Sequence, residues 1–172
     1  MPSLVVLPFQ NMSGDAEQEY FADGIVEDLT TALSRFSTFA VISRNSAFVY
    51  KGRRIDVRQV ARDLGVRYVL EGSVRRAGKQ VRVSAQLIEA STGAHIWAQK
   101  FDGTVEDIFD YQDQITETVV GLIEPQIRTS EIERARRKRP DSLDAYDLYL
   151  RALPHVYGMD PNGYGTALEL PS

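Results

Sequence analysis

The chain opens with a short unbroken apolar run, "SLVVLPF" over 3–9, which reads as a strand buried on both faces. A polar stretch, "QNMSGDAEQ", follows as a loop, with Asp15 and Gln18 spaced as a capping box that opens a helix. From there Tyr20, Ile25, Leu29, Ala32, Leu33 and Phe36 recur at helical spacing, while Glu27, Asp28 and Arg35 fall on other faces. Gly24 weakens the first turns of that helix. "TFAVIS" (38–43) is short and β-branched, a second buried strand. "RNSAFVYKGRRI" shows no period beyond one helical turn. Asp56 then caps a short helix with the stripe Val57, Val60, Ala61 and Leu64, and Gly65 stands where a C-terminal cap belongs.

Over 68–101 the period changes to two. Tyr68, Leu70 and Val74 alternate with Glu71, Ser73 and Arg75; after "AGK", Val81, Val83, Ala85 and Leu87 alternate with Arg82, Ser84 and Gln86. After "STG", Trp97 and Phe101 are expected on one face with His95. Alternation broken by glycine-containing turns is an antiparallel meander with one packed face and one wetter face. Thr104 then starts a long helix whose apolar positions are Val105, Ile108, Phe109, Ile115, Val119, Leu122 and Ile123, with Pro125 as a kink point. "RTSEIERARRKRP" (128–140) lacks an apolar stripe. "SLDAYDLYLRAL" (142–153) is a fresh amphipathic helix, and "NGYGTALEL" (162–170) begins another and stops within about two turns, below stable length. The order strand, helix, strand, helix, three strands, long helix predicts an α/β fold. Its mixed sheet has about five strands, three parallel plus an antiparallel meander, with helices packed on it. A long C-terminal helix and a short helical tail complete the chain.

Length and composition narrow the class without naming a function. With 172 residues, 43% hydrophobic and 26% charged, the chain has enough material for one domain and an appendage. It has no cysteine, so disulfides and thiolate metal sites are excluded. A net charge of -4 gives no electrostatic reason to expect nucleic acid as a partner. No stretch reaches the roughly 20 apolar residues of a membrane span. The start at Met1–Asn11 lacks the basic opening of a signal peptide, and Pro8 interrupts its apolar run. The expectation from this is a cytoplasmic protein as the chain stands, extracytoplasmic if a membrane-anchored part precedes it.

Several strings, in order, resemble a known bacterial module: "VLPFQNMSGDAEQEYFADGIVEDL", "VISRNSAFVYKG", "DVRQVARDLGVRYVLEGSVRRAG", "VRVSAQLIEASTGAHIWAQKFD" and "DIFDYQDQI". They are similar to the amino-terminal domain of TolB and to the flagellar FlgO-type domain. The version they resemble most follows class III adenylate/guanylate cyclase catalytic domains or winged-helix regulators and precedes tetratricopeptide repeats. The resemblance implies that residues 1–125 are the α/β module, 126–141 a charged helical linker, and 142–172 a truncated start of tetratricopeptide-like helices. It implies a non-catalytic regulatory or protein-interaction module of a bacterial signalling protein. Two alternatives stay open: a fragment of a cyclase whose catalytic domain lies outside this chain, or an envelope assembly factor of TolB/FlgO type.

The residues offer little chemistry of their own. His95 and His155 have neither HExxH nor carboxylate spacing, and Asp107, Asp110 and Asp113 read as ordinary acids at a helix start. Cyclase chemistry needs metal-binding carboxylates beside a phosphate-holding loop, and neither GxxxxGK[ST] nor GxGxxG occurs. Gly72 in "EGS" reads as a bulge or close packing, and Ser73 lacks a partner base. The run "RARRKR" (134–139) reads as a solvated linker, balanced by Glu131 and Glu133. We therefore expect no catalytic, cofactor or metal residues and no cofactor. One binding constellation stands out. Parallel strands ending together leave a crevice, and here the ends deliver Asn11, Ser43, Arg44, Asn45 and Ser46, with Lys51 and Arg53 nearby. That rim suits a small anion or the carboxylates of a protein partner or neighbouring domain.

Overall fold

The computed structural model describes residues 1–138. Strand β1 (Ser3–Val6) is buried on both faces as its unbroken apolar run requires: Leu4 and Val6 enter one core, Val5 and Leu7 another. Past Pro8 the chain resumes pairing as a two-residue strand, β2 (Gln10–Asn11), where the sequence suggested only a loop. Helix α1 (Ala16–Leu33) is capped by Asp15, whose side chain accepts from the Glu17 N–H at 2.9 Å. The reciprocal half of a capping box is not what Gln18 provides; its side chain is buried. Helix α1 buries Phe21, Ala22, Ile25, Val26, Leu29 and Leu33, whereas Tyr20 is 82% exposed. One residue is a rotation of about 100°, enough to turn Tyr20 out and Phe21 in.

Strand β3 (Ala40–Val41) is followed by the short helix α2 (Arg44–Phe48) and by α3 (Val57–Leu64). As the pattern indicated, Asp56 caps α3 and Gly65 closes it in the left-handed region at φ 67°. The meander is β4 (Tyr68–Ala77), β5 (Gln80–Glu89) and β6 (Ala94–Thr104). A turn of 3-10 helix over Val105–Asp107 leads into α4 (Ile108–Lys138), which continues through Pro125. Thr104, read from the pattern as the helix start, is the last residue of β6 and makes no side-chain cap.

Six strands form one mixed sheet ordered β3-β1-β4-β5-β6, with β2 beside β4. The pairs β1–β3, β1–β4 and β2–β4 are parallel, and β4–β5 and β5–β6 are antiparallel. The expected fold is therefore the observed one, with the short β2 added. One face is covered by α1 and α4 over a core that includes Leu29, Leu70, Leu87, Ile115 and Ile123. The other face is covered by α2 and α3 over a smaller core of Val5, Leu7, Ala47, Val60 and Val69. Strand β4 records where this second layer ends. Its first residues, Tyr68–Leu70, are buried on both sides; from Glu71 onward apolar and polar positions alternate.

At two glycines the sheet is approached closely by aromatic rings packed on it. A Cβ at Gly72 would lie 2.7 Å from the Phe9 ring, so the glycine is required by packing. At Gly103 the Tyr111 ring of α4 occupies the corresponding space. The register shifts between the pairs Leu87–Trp97 and Ile88–His95, leaving Ile96 as the extra residue of a bulge. That shift breaks the alternation, so His95 is exposed while Ile96, Trp97 and Phe101 pack against the larger core.

The chain divides into two compact units, Met1–Ser130 and Glu131–Ser172. The first reaches beyond residue 125: Ile127 is buried in the core, and Ser130 accepts from the Tyr68 hydroxyl at 2.9 Å. Of the second unit only the last turns of α4 are described, where Arg136 lies 3.6 Å from Glu133. The helices read over 142–153 and 162–170, together with His155, lie outside the described residues.

Candidate functional site

The half of the sheet that α2 and α3 leave uncovered forms a groove of about 820 Å³. Its floor follows from strand alternation, which sends every second residue of β4, β5 and β6 away from the α1–α4 core. Glu71 stands opposite Gln86, and Gln86 opposite Ala98; Ser73 stands opposite Ser84, and Ser84 opposite Lys100. Gln86 Nε2 donates to Glu71 Oε1 at 2.5 Å, tying two strands across the floor. Arg54 and Ile55, from the loop before α3, and Gln10 and Met12, after β1, complete the lining. Farther along the same face Arg82 Nε approaches Asp102 Oδ1 at 2.7 Å. That pairing, hydrogen bond first, lowers the Asp102 pKa and raises that of Arg82.

The groove offers hydrogen-bond donors and acceptors, one carboxylate (Glu71) and two cations (Arg54 and Lys100) beside apolar residues such as Leu7, Met12 and Ile55. Such a surface can hold a peptide or a polar ligand by many weak contacts. Ser73 is on the floor with Ser84 opposite and no histidine in the lining, so the residues present do not form a nucleophile–base pair. Among the described residues no group of three or more His, Cys, Asp or Glu is placed to share a metal ion, and Asp107, Asp110 and Asp113 are exposed. Among these residues, too, no helix is long and apolar enough to cross a membrane.

The rim read from the strand ends is distributed over several local tasks. Asn11 closes the turn into α1: its Nδ2 donates to the Asp15 carbonyl at 2.7 Å and its Oδ1 accepts from the Ser13 N–H at 3.0 Å. Ser43 caps α2 by accepting from the Ser46 N–H at 3.3 Å, and the two hydroxyls lie 3.1 Å apart. Arg44 and Lys51 do come together, on the ring of Phe48, at 4.4 Å and 5.3 Å from its centroid. Their charges meet acids of α1: Arg44 lies 3.5 Å from Glu27, and Lys51 lies 2.6 Å from Asp23 and 3.1 Å from Glu19. The hydrogen bond to Asp23 raises the Lys51 pKa. Asn45 is exposed on α2, and Arg53 turns back to donate to the Val49 carbonyl at 3.1 Å. The geometry brings Ser43 with Ser46 and Arg44 with Lys51, and leaves Asn11 and Arg53 in turns of their own. The groove was missed because its polar residues look like the ordinary wet face of a meander. The available signal was the change inside β4 from continuous burial to alternation, which marks where the second helical layer stops.

Residues 1–118 match the model of the HilA/YgeH-like transcriptional regulator, second domain, and the chain belongs to that family. Over 151 residues it is 52% identical to a Rhizobium meliloti (strain 1021) protein whose name assigns it provisionally as adenylate cyclase 3; the match covers 88% of this chain and 26% of that protein. The chain thus spans about a quarter of the length of this relative. Among solved structures, lipoprotein GNA1162 from Neisseria meningitidis has a TM-score of 0.49 at 19% identity, over 60% of this chain and 81% of that one. TolB from Acinetobacter baumannii has a TM-score of 0.48 at 17% identity, over 70% of this chain and 28% of that one. Likeness at this level carries no information about function.

Proposed function

We propose that this chain is a non-catalytic regulatory and protein-interaction module of a longer bacterial signalling protein, and that the open sheet face is where a partner or neighbouring domain docks. The observation that carries the reading is the uncovered half of the sheet. A face whose second helical layer stops midway, over a floor of Glu71, Ser73, Ser84, Gln86 and Lys100, is built to be met by something else. Membership in a family of regulator second domains supports it, as does the small share of its named relative that the chain spans. On this reading a catalytic activity implied by that relative's name belongs to parts of the parent protein outside this chain. The division into a module, a charged helical linker over 126–141 and tetratricopeptide-like helices over 142–172 belongs to the same proposal.

Site-specific photocrosslinking in cells tests it. A crosslinking side chain at Ser84 or Lys100 should capture a discrete protein species, or give an intramolecular product in the parent protein. The same side chain at the exposed Glu117 of α4 should give neither. Equal capture from all three positions, or none from the groove, would refute the reading.

A further inference from the structure

The sheet ends differently at its two edges. Strand β3 is an edge of two residues, too short to accept another chain, whereas β6 at the opposite edge runs for 11 residues. Among the described residues nothing pairs with the outer side of β6. Two contacts show which of its residues face inward. The Val105 N–H donates to the Lys79 carbonyl at 2.9 Å, and the Phe101 carbonyl accepts from the Tyr111 hydroxyl, which also holds the Val83 N–H of β5. Backbone groups alternate along a strand, so those of Ala98, Lys100 and Asp102 point away from the sheet. These three residues are exposed, and Trp97 and Phe101 beside them are only half-buried. The bulge at Ile96 blunts β6 near its start and leaves this stretch regular.

From the unpaired edge and the order of its charges, we infer that β6 docks on β6 of a second copy of this chain, antiparallel, about a two-fold axis at Phe101. Outward-facing residues must then stand opposite outward-facing residues. Centred on Lys100 or on Asp102, such a pair sets like charges against each other. Centred on Phe101, it sets Lys100 of each copy opposite Asp102 of the other, and both pairs exchange backbone hydrogen bonds. A lysine on an edge normally deters pairing; here the aspartate two residues on makes it select the register. A second copy fits better than an unrelated strand because the edge is complementary to itself. Arg82 stands beside Asp102 and Ser84 beside Lys100, so the joined row reads Arg82, Asp102, Lys100, Ser84, with alternating signs. At the axis the two Phe101 rings meet and cover each other's open flank. The two grooves then lie side by side on one continuous sheet. Capture from Ser84 in the groove needs no second copy, and dimerisation of the pure chain needs no groove partner, so the two readings fail separately.

Sedimentation equilibrium of the purified full chain, from micromolar to millimolar concentration, tests the inference. The wild-type chain should form a dimer that loosens as salt rises. Lys100→Asp and Asp102→Lys should each weaken self-association roughly tenfold or more, because each sets like charges opposite at both pairs. Both positions are exposed, so melting temperatures should stay near the wild-type value. Mixed in equal amounts, the two variants should dimerise again, since every charge pair across the axis is then of opposite sign. Register is read with cysteine, which the natural chain lacks. On oxidation, Lys100→Cys mixed with Asp102→Cys should give the mixed disulfide in preference to either homodimer. A chain that stays monomeric leaves the edge to a neighbouring domain of the parent protein and overturns the inference. It is equally overturned if the variants associate like the wild type, if their mixture associates no better than each alone, or if Lys100→Cys crosslinks to itself as readily as to Asp102→Cys.

Discussion

At the scale of single residues, Tyr111 does the most structural work. Its ring stacks on Phe21 with centroids 5.8 Å apart and fills the space that Gly103 leaves. Its hydroxyl accepts from the Val83 N–H at 3.1 Å and donates to the Phe101 carbonyl, so one phenol joins α4 to both β5 and β6. Burial pushes its pKa from 10.0 up to about 12. The folded state therefore holds this proton in a range where the unfolded chain has released it, and stability falls as pH rises from about 10 toward 12. The stabilisation is complete below pH 10. Chemical denaturation across that window should show an alkaline loss that is shallower in Tyr111→Phe. The same variant should cost about 0.5–1.5 kcal/mol at neutral pH, through loss of the phenol's hydrogen bonds to β5 and β6. Caps such as Asp56 and Gly65 were legible in the sequence because their chemistry is local. The outward turn of Tyr20 and Phe109 was not, because helical periodicity cannot separate neighbours one residue apart until the packing partner is known.

At the scale of elements, α4 shows how a weak overall pattern can hide a strict one. Its buried positions are Tyr111, Ile115, Val119, Ile123 and Ile127, every fourth residue on a single stripe against the sheet. Ile115→Ala should destabilise by about 2–5 kcal/mol, whereas the same change at exposed Ile132 should fall within about 0.5 kcal/mol. Equal losses at the two sites, measured by denaturant midpoint, would contradict this account of the helix. Pro125 removes one intrahelical N–H, and α4 continues because residues on both sides of it are held in the core. The strands were legible for the opposite reason. Period two is unambiguous over ten residues; what escaped it were the bulge at Ile96, which depends on pairing between β5 and β6, the end of β6 at Thr104 and the two-residue β2.

At the scale of the whole molecule, the resemblance placed the end of the α/β module at residue 125. We propose that the folded unit needs the next turn as well. Ile127 is buried, and Ser130 accepts from Tyr68 and donates to Glu89 Oε2 at 3.3 Å. A chain ending at residue 138 should match the full-length protein in thermal stability, while one ending at 125 should lose about 1.5–3 kcal/mol from the missing isoleucine alone. Identical melting of the two truncations would place the boundary back at 125. The rim residues were found in the sequence because strand ends attract notice, yet the acids that occupy Arg44 and Lys51 lie on α1, far away along the chain. Only the folded arrangement shows that these cations already have partners.

The phenol that bridges β5 and β6 also makes the sheet a reporter on the helix. The Val83 amide gives its proton to Tyr111, so its exchange with deuterated solvent requires the first turns of α4 to lift from the strands. Ser84 on the groove floor follows Val83, so the clamped amide borders the open face of the sheet. Exchange at this one amide, quickened by Tyr111→Phe, would read out how firmly the helix is clamped to the strands.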